Sequence, residues 1–221
     1  MKNNSKNITV IIGIIILAVG VWYVLGRLPH KEIRNSENPQ ANNPSSPSDV
    51  QDLNWKKYTS DNYKFSIEYP SDFSVNENHT YSALGPGKEI KGIAFPVSEA
   101  ISKGTNLSSD SYFSVEQLST TDCTGSNFMS NPQTDNTVTE NNKTYNVATG
   151  GDAGAGNRYE DTVFATKFNN VCYGIRLMIH STVIENYEPG TVPEYNRSQL
   201  IELYNRFRLS FTPFSETPKG E

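Results

Sequence analysis

Apolar and polar positions alternate cleanly from Tyr63 to Tyr69, where Tyr63, Phe65, Ile67 and Tyr69 are separated by Lys64, Ser66 and Glu68. A period of two is that of a strand with one buried face, and Pro70 interrupts its continuation. Phe73 and Val75 repeat the alternation, so the pattern predicts a second short strand after a Pro-Ser-Asp turn. Further strands are predicted over 90–97, 111–118, 143–149, 157–168 and 171–181. Asn169 and Asn170 suit a tight turn at positive φ, which joins the last two as an antiparallel hairpin.

The period changes near the end of the chain. Leu200, Leu203, Tyr204 and Phe207 fall at helical offsets behind Asn196 or Ser198 as cap, predicting one helix laid on a sheet by its apolar stripe. Gln199, Glu202, Asn205, Arg206 and Arg208 are expected to face mostly water. The segments 47–54 and 98–103 each have room for a short helix. Between the strands, 119–142 reads as a long polar loop and the glycine-rich run 150–156 as a flexible connection between strands. That run has no GK[ST] and no helix after it, so it is no phosphate cradle.

A different pattern opens the chain. Residues 8–26 form nineteen positions without a charge, about 28 Å as a helix, enough to nearly cross the ~30 Å hydrocarbon layer. Trp22 and Tyr23 near its far end suit a membrane interface. The alternative is a cleaved signal peptide, but the Leu25-Gly26-Arg27 region has no convincing small-x-small cleavage site. The expected organisation is a short cytoplasmic N-terminus at 1–7, a transmembrane helix at 8–26, a flexible polar tether at 27–54, a folded domain at 55–214 and a frayed tail at 215–221. Tether residues 35–50 hold three prolines and little to bury.

Basic residues flank both ends of the span, Lys2 and Lys6 on one side and Arg27, Lys31 and Arg34 on the other, so they do not decide orientation. The cysteines do more. Cys123 and Cys172 are the only two, and an even number in an extracytoplasmic domain favours a disulfide, worth about 3 to 4 kcal/mol in the chain-entropy model. The other arrangement is one buried and one exposed thiol. A bonded pair and the size of the downstream domain favour a single-pass cell-membrane protein with its N-terminus inside and its C-terminal domain outside.

Charge narrows the partners. With 24 acidic against 19 basic residues and a pI near 5.3, the chain lacks the basic surface that nucleic acid requires. The expected partners are the bilayer, through 8–26, and an envelope protein or a glycan. His30, His79 and His180 are isolated and no HExxH or CxxC occurs, so neither a metal nor another cofactor is predicted. Asp152, Asn157, Glu160 and Asp161 cluster, but without EF-hand spacing. Cys172 and His180 are about 26 Å apart along a straight strand, too far for nucleophile and base. Tyrosine occurs twelve times, and Tyr58, Tyr112, Tyr159 and Tyr173 are candidates for a recognition surface; Tyr112, Tyr159 and Tyr173 are the principal ones.

The stretch Trp55–Val75, WKKYTSDNYKFSIEYPSDFSV, resembles the opening of PsbP-like domains, and the late SQLIELYNRF with RLSFTPF resembles their closing helix and strand. The resemblance implies an α+β domain of Mog1/PsbP type, an antiparallel sheet packed between helices in an α-β-α arrangement. It is similar to the anchored uncharacterised bacterial proteins that carry such domains. No catalytic residues are predicted. The favoured function is a non-enzymatic, membrane-tethered accessory or binding domain outside the cell membrane; the alternatives are an envelope hydrolase whose site is assembled from distant loops, and a structural cell-surface protein.

Overall fold

The computed structural model describes residues 53–215. The expected membrane helix at 8–26, the tether up to residue 52 and the tail from 216 lie outside the described residues. Among those described, no helix is long and apolar enough to cross a membrane.

Among the described residues, ten strands form two antiparallel sheets. Strands β1 (Trp55–Ser60) and β2 (Phe65–Pro70) make a hairpin, and β10 (Thr212–Pro213) joins the other edge of β2. The large sheet contains β3 (Asn76–Tyr81), β4 (Ile90–Pro96), β5 (Tyr112–Leu118), β6 (Pro132–Glu140), β7 (Lys143–Gly154), β8 (Asn157–Phe168) and β9 (Val171–Thr182). Their spatial order is β3-β4-β5-β9-β8-β7-β6. Helix α1 (Glu99–Ser102) is a single turn, and α2 (Arg197–Ser210) is the one long helix among the described residues.

The main core lies between one face of the large sheet and a layer made of α2 and the small sheet. Leu200, Leu203, Tyr204 and Phe207 point inward from α2, as their spacing predicts, and Asn196 caps it by accepting the Gln199 N–H at 3.0 Å. Phe207 meets Phe95 edge-on at 5.1 Å and Phe113 at 5.2 Å, while Phe65 and Ile67 close the layer from β2. Burial of each such side chain contributes about 1.5–3 kcal/mol. Arg208 departs from its expected exposure: it is buried, spans Phe164 with its guanidinium 4.1 Å from the ring centre, and reaches Glu140 at 2.6 Å.

The opposite face carries a smaller cluster in which Phe128 and Met129 rest on Ala148, Val163, Ala165 and Cys172. Here the covering layer is a 3₁₀ turn at Gly125–Phe128 instead of the second helical layer of an α-β-α sandwich. The Cys123–Cys172 disulfide, with Cα atoms 5.4 Å apart, ties that turn to β9.

Several expectations change. The segment 119–142 is not a continuous loop, because β6 occupies 132–140 and the 3₁₀ turn 125–128. As an outer strand β6 is mostly exposed, so backbone pairing builds it without apolar alternation. The glycine run is largely strand as well, and β7 turns only at Ala155-Gly156. At Gly150 a Cβ would stand 2.5 Å from the Asn131 carbonyl oxygen, so glycine permits a crossing backbone to approach. The strand expected at Phe73–Val75 is absent: Phe73 plugs the core against Phe113 at 5.3 Å, and pairing resumes at polar β3, which begins at Asn76.

Candidate functional site

The site sits on the second face, and the strand period selects its residues. In β9, Tyr173, Ile175, Leu177 and Ile179 enter the main core, which leaves Cys172, Gly174, Arg176, Met178 and His180 on the other side. Register brings Ser114 of β5 and Val163 of β8 opposite Arg176, and brings Tyr112 and Asp161 opposite Met178. A buried cation and an acidic, aromatic floor therefore lie side by side.

Arg176 is 0% exposed. Its Nε and Nη2 donate to the two oxygens of Glu116 at 2.9 and 2.8 Å, Nη1 donates to Asp161 Oδ2, and Nη2 also donates to the Phe128 carbonyl. The guanidinium lies 3.7 Å from the Tyr81 ring centre. Ser114 Oγ donates to Glu116 at 2.8 Å, and His79 Nε2 lies 3.1 Å from the same oxygen. Burial opposes the charge of both partners. It is the largest single effect on each, but the attraction and hydrogen bonds between them, joined by His79 at Glu116 and by Asp161 at Arg176, together outweigh it, so the Glu116 pKa falls to about 2 and that of Arg176 rises. For Asp161 burial is the larger effect: despite Arg176 its pKa is pushed up to about 6. Its Oδ1 is buried and accepts no hydrogen bond from any described residue.

Beside this cluster opens a cleft of about 370 Å³. Tyr81, Tyr112 and Tyr159 supply its aromatic walls, Met129 and Met178 its thioethers, and Asp161 part of its floor. Gly150 and Gly151 form another side, where the lack of a Cβ lets the backbone of Asn131 and Tyr159 approach closely. Asn131 secures the loop wall by donating to the Gly151 carbonyl at 3.3 Å. Asp152 and Glu160 also line the cleft, whereas no Lys, Arg or His among the described residues does. Burial raises the Tyr112 hydroxyl pKa, so that group is neutral.

Tyr159 is the most exposed wall, at 39%. It stacks on His180 with ring centres 4.3 Å apart and planes inclined by 23°. His180 Nδ1 lies 2.7 Å from Asp110 Oδ1 and Nε2 lies 3.0 Å from Asn157 Oδ1. Both ring nitrogens are thus engaged in orienting the ring under Tyr159. Cys172, in its disulfide, has no thiolate to offer.

Of the tyrosines singled out by sequence, Tyr112 and Tyr159 meet in the cleft. Tyr173 does not join them: it is 1% exposed in the main core and donates to the Tyr63 carbonyl at 3.0 Å. It is one residue out of phase with the cleft face. Tyr58 also lies elsewhere, donating to Glu77 at 2.9 Å, and its pKa is raised to about 12 by burial and that carboxylate. Tyr81 and Arg176 were not predicted. Tyr81 lies in a stretch with turn-like composition, whereas Arg176 is a charge inside an apolar strand, a signal that was present in VCYGIRLMIH. Among the described residues, no group of three or more His, Cys, Asp or Glu side chains has an arrangement suited to a metal ion.

No family model matches this chain, nor does any curated protein. Among solved structures it is similar to the cyanobacterial PsbP of Synechocystis sp. PCC 6803, with a TM-score of 0.43 and 13% identity over 77% of this chain and 99% of that one. It is similar also to the Ran-binding protein Mog1p of Saccharomyces cerevisiae, with a TM-score of 0.41 and 10% identity over 73% and 96%. A protein from Bacteroides thetaiotaomicron VPI-5482 gives 0.42 and 12% over 73% of this chain; the chain spans about half, 49%, of its length. PsbP and Mog1, the two names raised by the sequence resemblance, both occur among these structures.

Proposed function

We propose that this protein is a non-enzymatic binding domain, tethered by residues 8–26 to the outer face of the cell membrane, whose ligand enters the cleft walled by Tyr81, Tyr112 and Tyr159. The cleft carries this reading: three aromatic walls and two thioethers form a preformed concave surface with few polar groups, the usual character of a ligand site. Its carboxylates are not arranged as an acid-base pair around a bond, because Asp161 is engaged by Arg176 and Glu160 by Arg197 at 2.6 Å. The apolar run at 8–26 supports the tether, and a disulfide supports an oxidising location.

The methionines supply local reporters, since Met129 and Met178 both line the cleft and Met1 is the only other methionine. In the full chain labelled at its methionine methyls, a library of small neutral, anionic and cationic fragments should yield binders that shift both cleft signals saturably. Tyr159→Ala should weaken those binders; Ala83 also lines the cleft, and Ala83→Trp, which fills it without removing a wall, should abolish them. A library that leaves both methyl signals unmoved contradicts the reading.

A further inference from the structure

We infer that the ligand group held in the tyrosine cleft is an alkylammonium bearing at least one N–H, such as a free polyamine end or a lysine side chain. The inference rests on the proposed function and adds its chemical class. The first observation is the charge of the lining. Asp152, Glu160 and Asp161 contribute acids, Glu160 being paired with Arg197, and among the described residues no basic side chain lines the space. The nearest guanidinium, Arg176, is already shared between two carboxylates, Glu116 by two hydrogen bonds and Asp161 by one. One cation therefore stands against two buried acids at the base of the site.

The second observation is independent of that balance. Asp161 presents a side chain only 15% exposed, and its Oδ1 has no hydrogen-bond donor among the described residues. A buried carboxylate oxygen without a partner is costly, and an arriving N–H satisfies it by a charge-assisted bond after a small adjustment of the carboxyl edge. The third is the walls. Tyrosine faces attract cations, and they do so more strongly where water is excluded. Tyr81 already holds Arg176 at 3.7 Å, which shows that this aromatic surface accommodates a positive charge. Met129 and Met178 suit the methylene stem that leads to an ammonium head. An anion finds no cationic side chain among the described lining residues, and a neutral group offers Asp161 Oδ1 no charge-assisted bond.

The test uses the full chain with labelled methionine methyls, at about pH 8, where Asp161 is ionised and an alkylamine remains protonated. The probes are n-butylammonium and its neutral near-isostere butan-1-ol. The inference expects n-butylammonium to shift the Met129 and Met178 methyls with at least tenfold higher affinity than butan-1-ol, with the difference collapsing in Asp161→Asn. Equal affinities in the wild-type chain overturn the ammonium class while leaving the cleft as a ligand site. If neither probe binds, the ammonium class is overturned, and the fragment library then decides separately whether the cleft binds anything. Putrescine and Nα-acetyl-lysine-N-methylamide distinguish the sources: tighter binding of the first indicates a free polyamine, and of the second a partner's lysine.

Discussion

Phe128 lies on Gly174, with its Cδ1 only 2.5 Å from the place a Cβ on that glycine would occupy. The missing side chain lets the 3₁₀ turn settle on β9, and the Phe128 carbonyl then accepts from Arg176. A single glycine thus connects the covering turn to the buried cation. Gly174→Ala should lift Phe128 and destabilise the domain by about 1–3 kcal/mol, the usual cost of overpacking, read as a lower denaturation midpoint. An unchanged midpoint would show that the turn does not bear on β9 as described.

The Arg176–Glu116 pair gives a sharper expectation. Arg176→Met leaves Glu116 and Asp161 buried without their cation, and loss of one partner from such a pair costs about 3–5 kcal/mol. Adding Glu116→Gln should recover part of that loss, because the orphaned charge is removed with it. Urea unfolding of the wild type, both single variants and the double variant measures the coupling, and simple additivity would contradict it.

Two carboxylates in this cluster give opposite pH dependences. Asp161 rises from an ordinary 3.8 to about 6 on folding, so the native state holds its proton more tightly. The stability it contributes is full below pH 3.8 and is lost as pH rises through about 6. Glu116 falls from 4.5 to about 2, so its contribution is present above pH 4.5 and is lost as pH drops through about 2. The groups facing Asp161 include Arg176, Glu116 and Tyr112, with Asp152 and Glu160 in the same cleft. Asp161→Asn should flatten the decline between about pH 4 and 6 and leave the acid-side loss, as followed by denaturation midpoints across that range. A wild-type curve with the same slope as the variant would contradict the assignment.

How far the sequence exposed all this depends on what each residue does. The α2 stripe and the β8–β9 hairpin were legible because their apolar spacing and the Asn169-Asn170 turn serve burial and backbone geometry directly. The same turn signal, Asn141-Asn142 with φ of 49° and 61°, marked the β6–β7 hairpin but stood among polar residues. Edge strands β3 and β6 bury little, so their composition resembles loops. Tyr112 and Tyr159 were legible as aromatic candidates, but their meeting depends on register across β5, β9 and β8. That long-range pairing also separates Tyr173 from them.

The disulfide joins the covering turn, the cleft wall and the proposed location. In the full chain purified from its native cells, both cysteines should resist labelling until reduction, and, as the proposed tether requires, the intact mass should retain residues 1–26. Reduction should cost about 3–4 kcal/mol and shift the Met129 methyl, because Met129 follows the pinned turn directly. Thiols that label freely without reduction would contradict the bond and the exterior placement together.

The most direct measurement is a crystal structure of the chain grown with the strongest cleft binder from the fragment library. The account predicts density between the Tyr112 and Tyr159 side chains, against Met178 and within hydrogen-bond reach of Asp161. Ligand density confined to another part of the surface, with the tyrosine cleft holding only solvent, would contradict it.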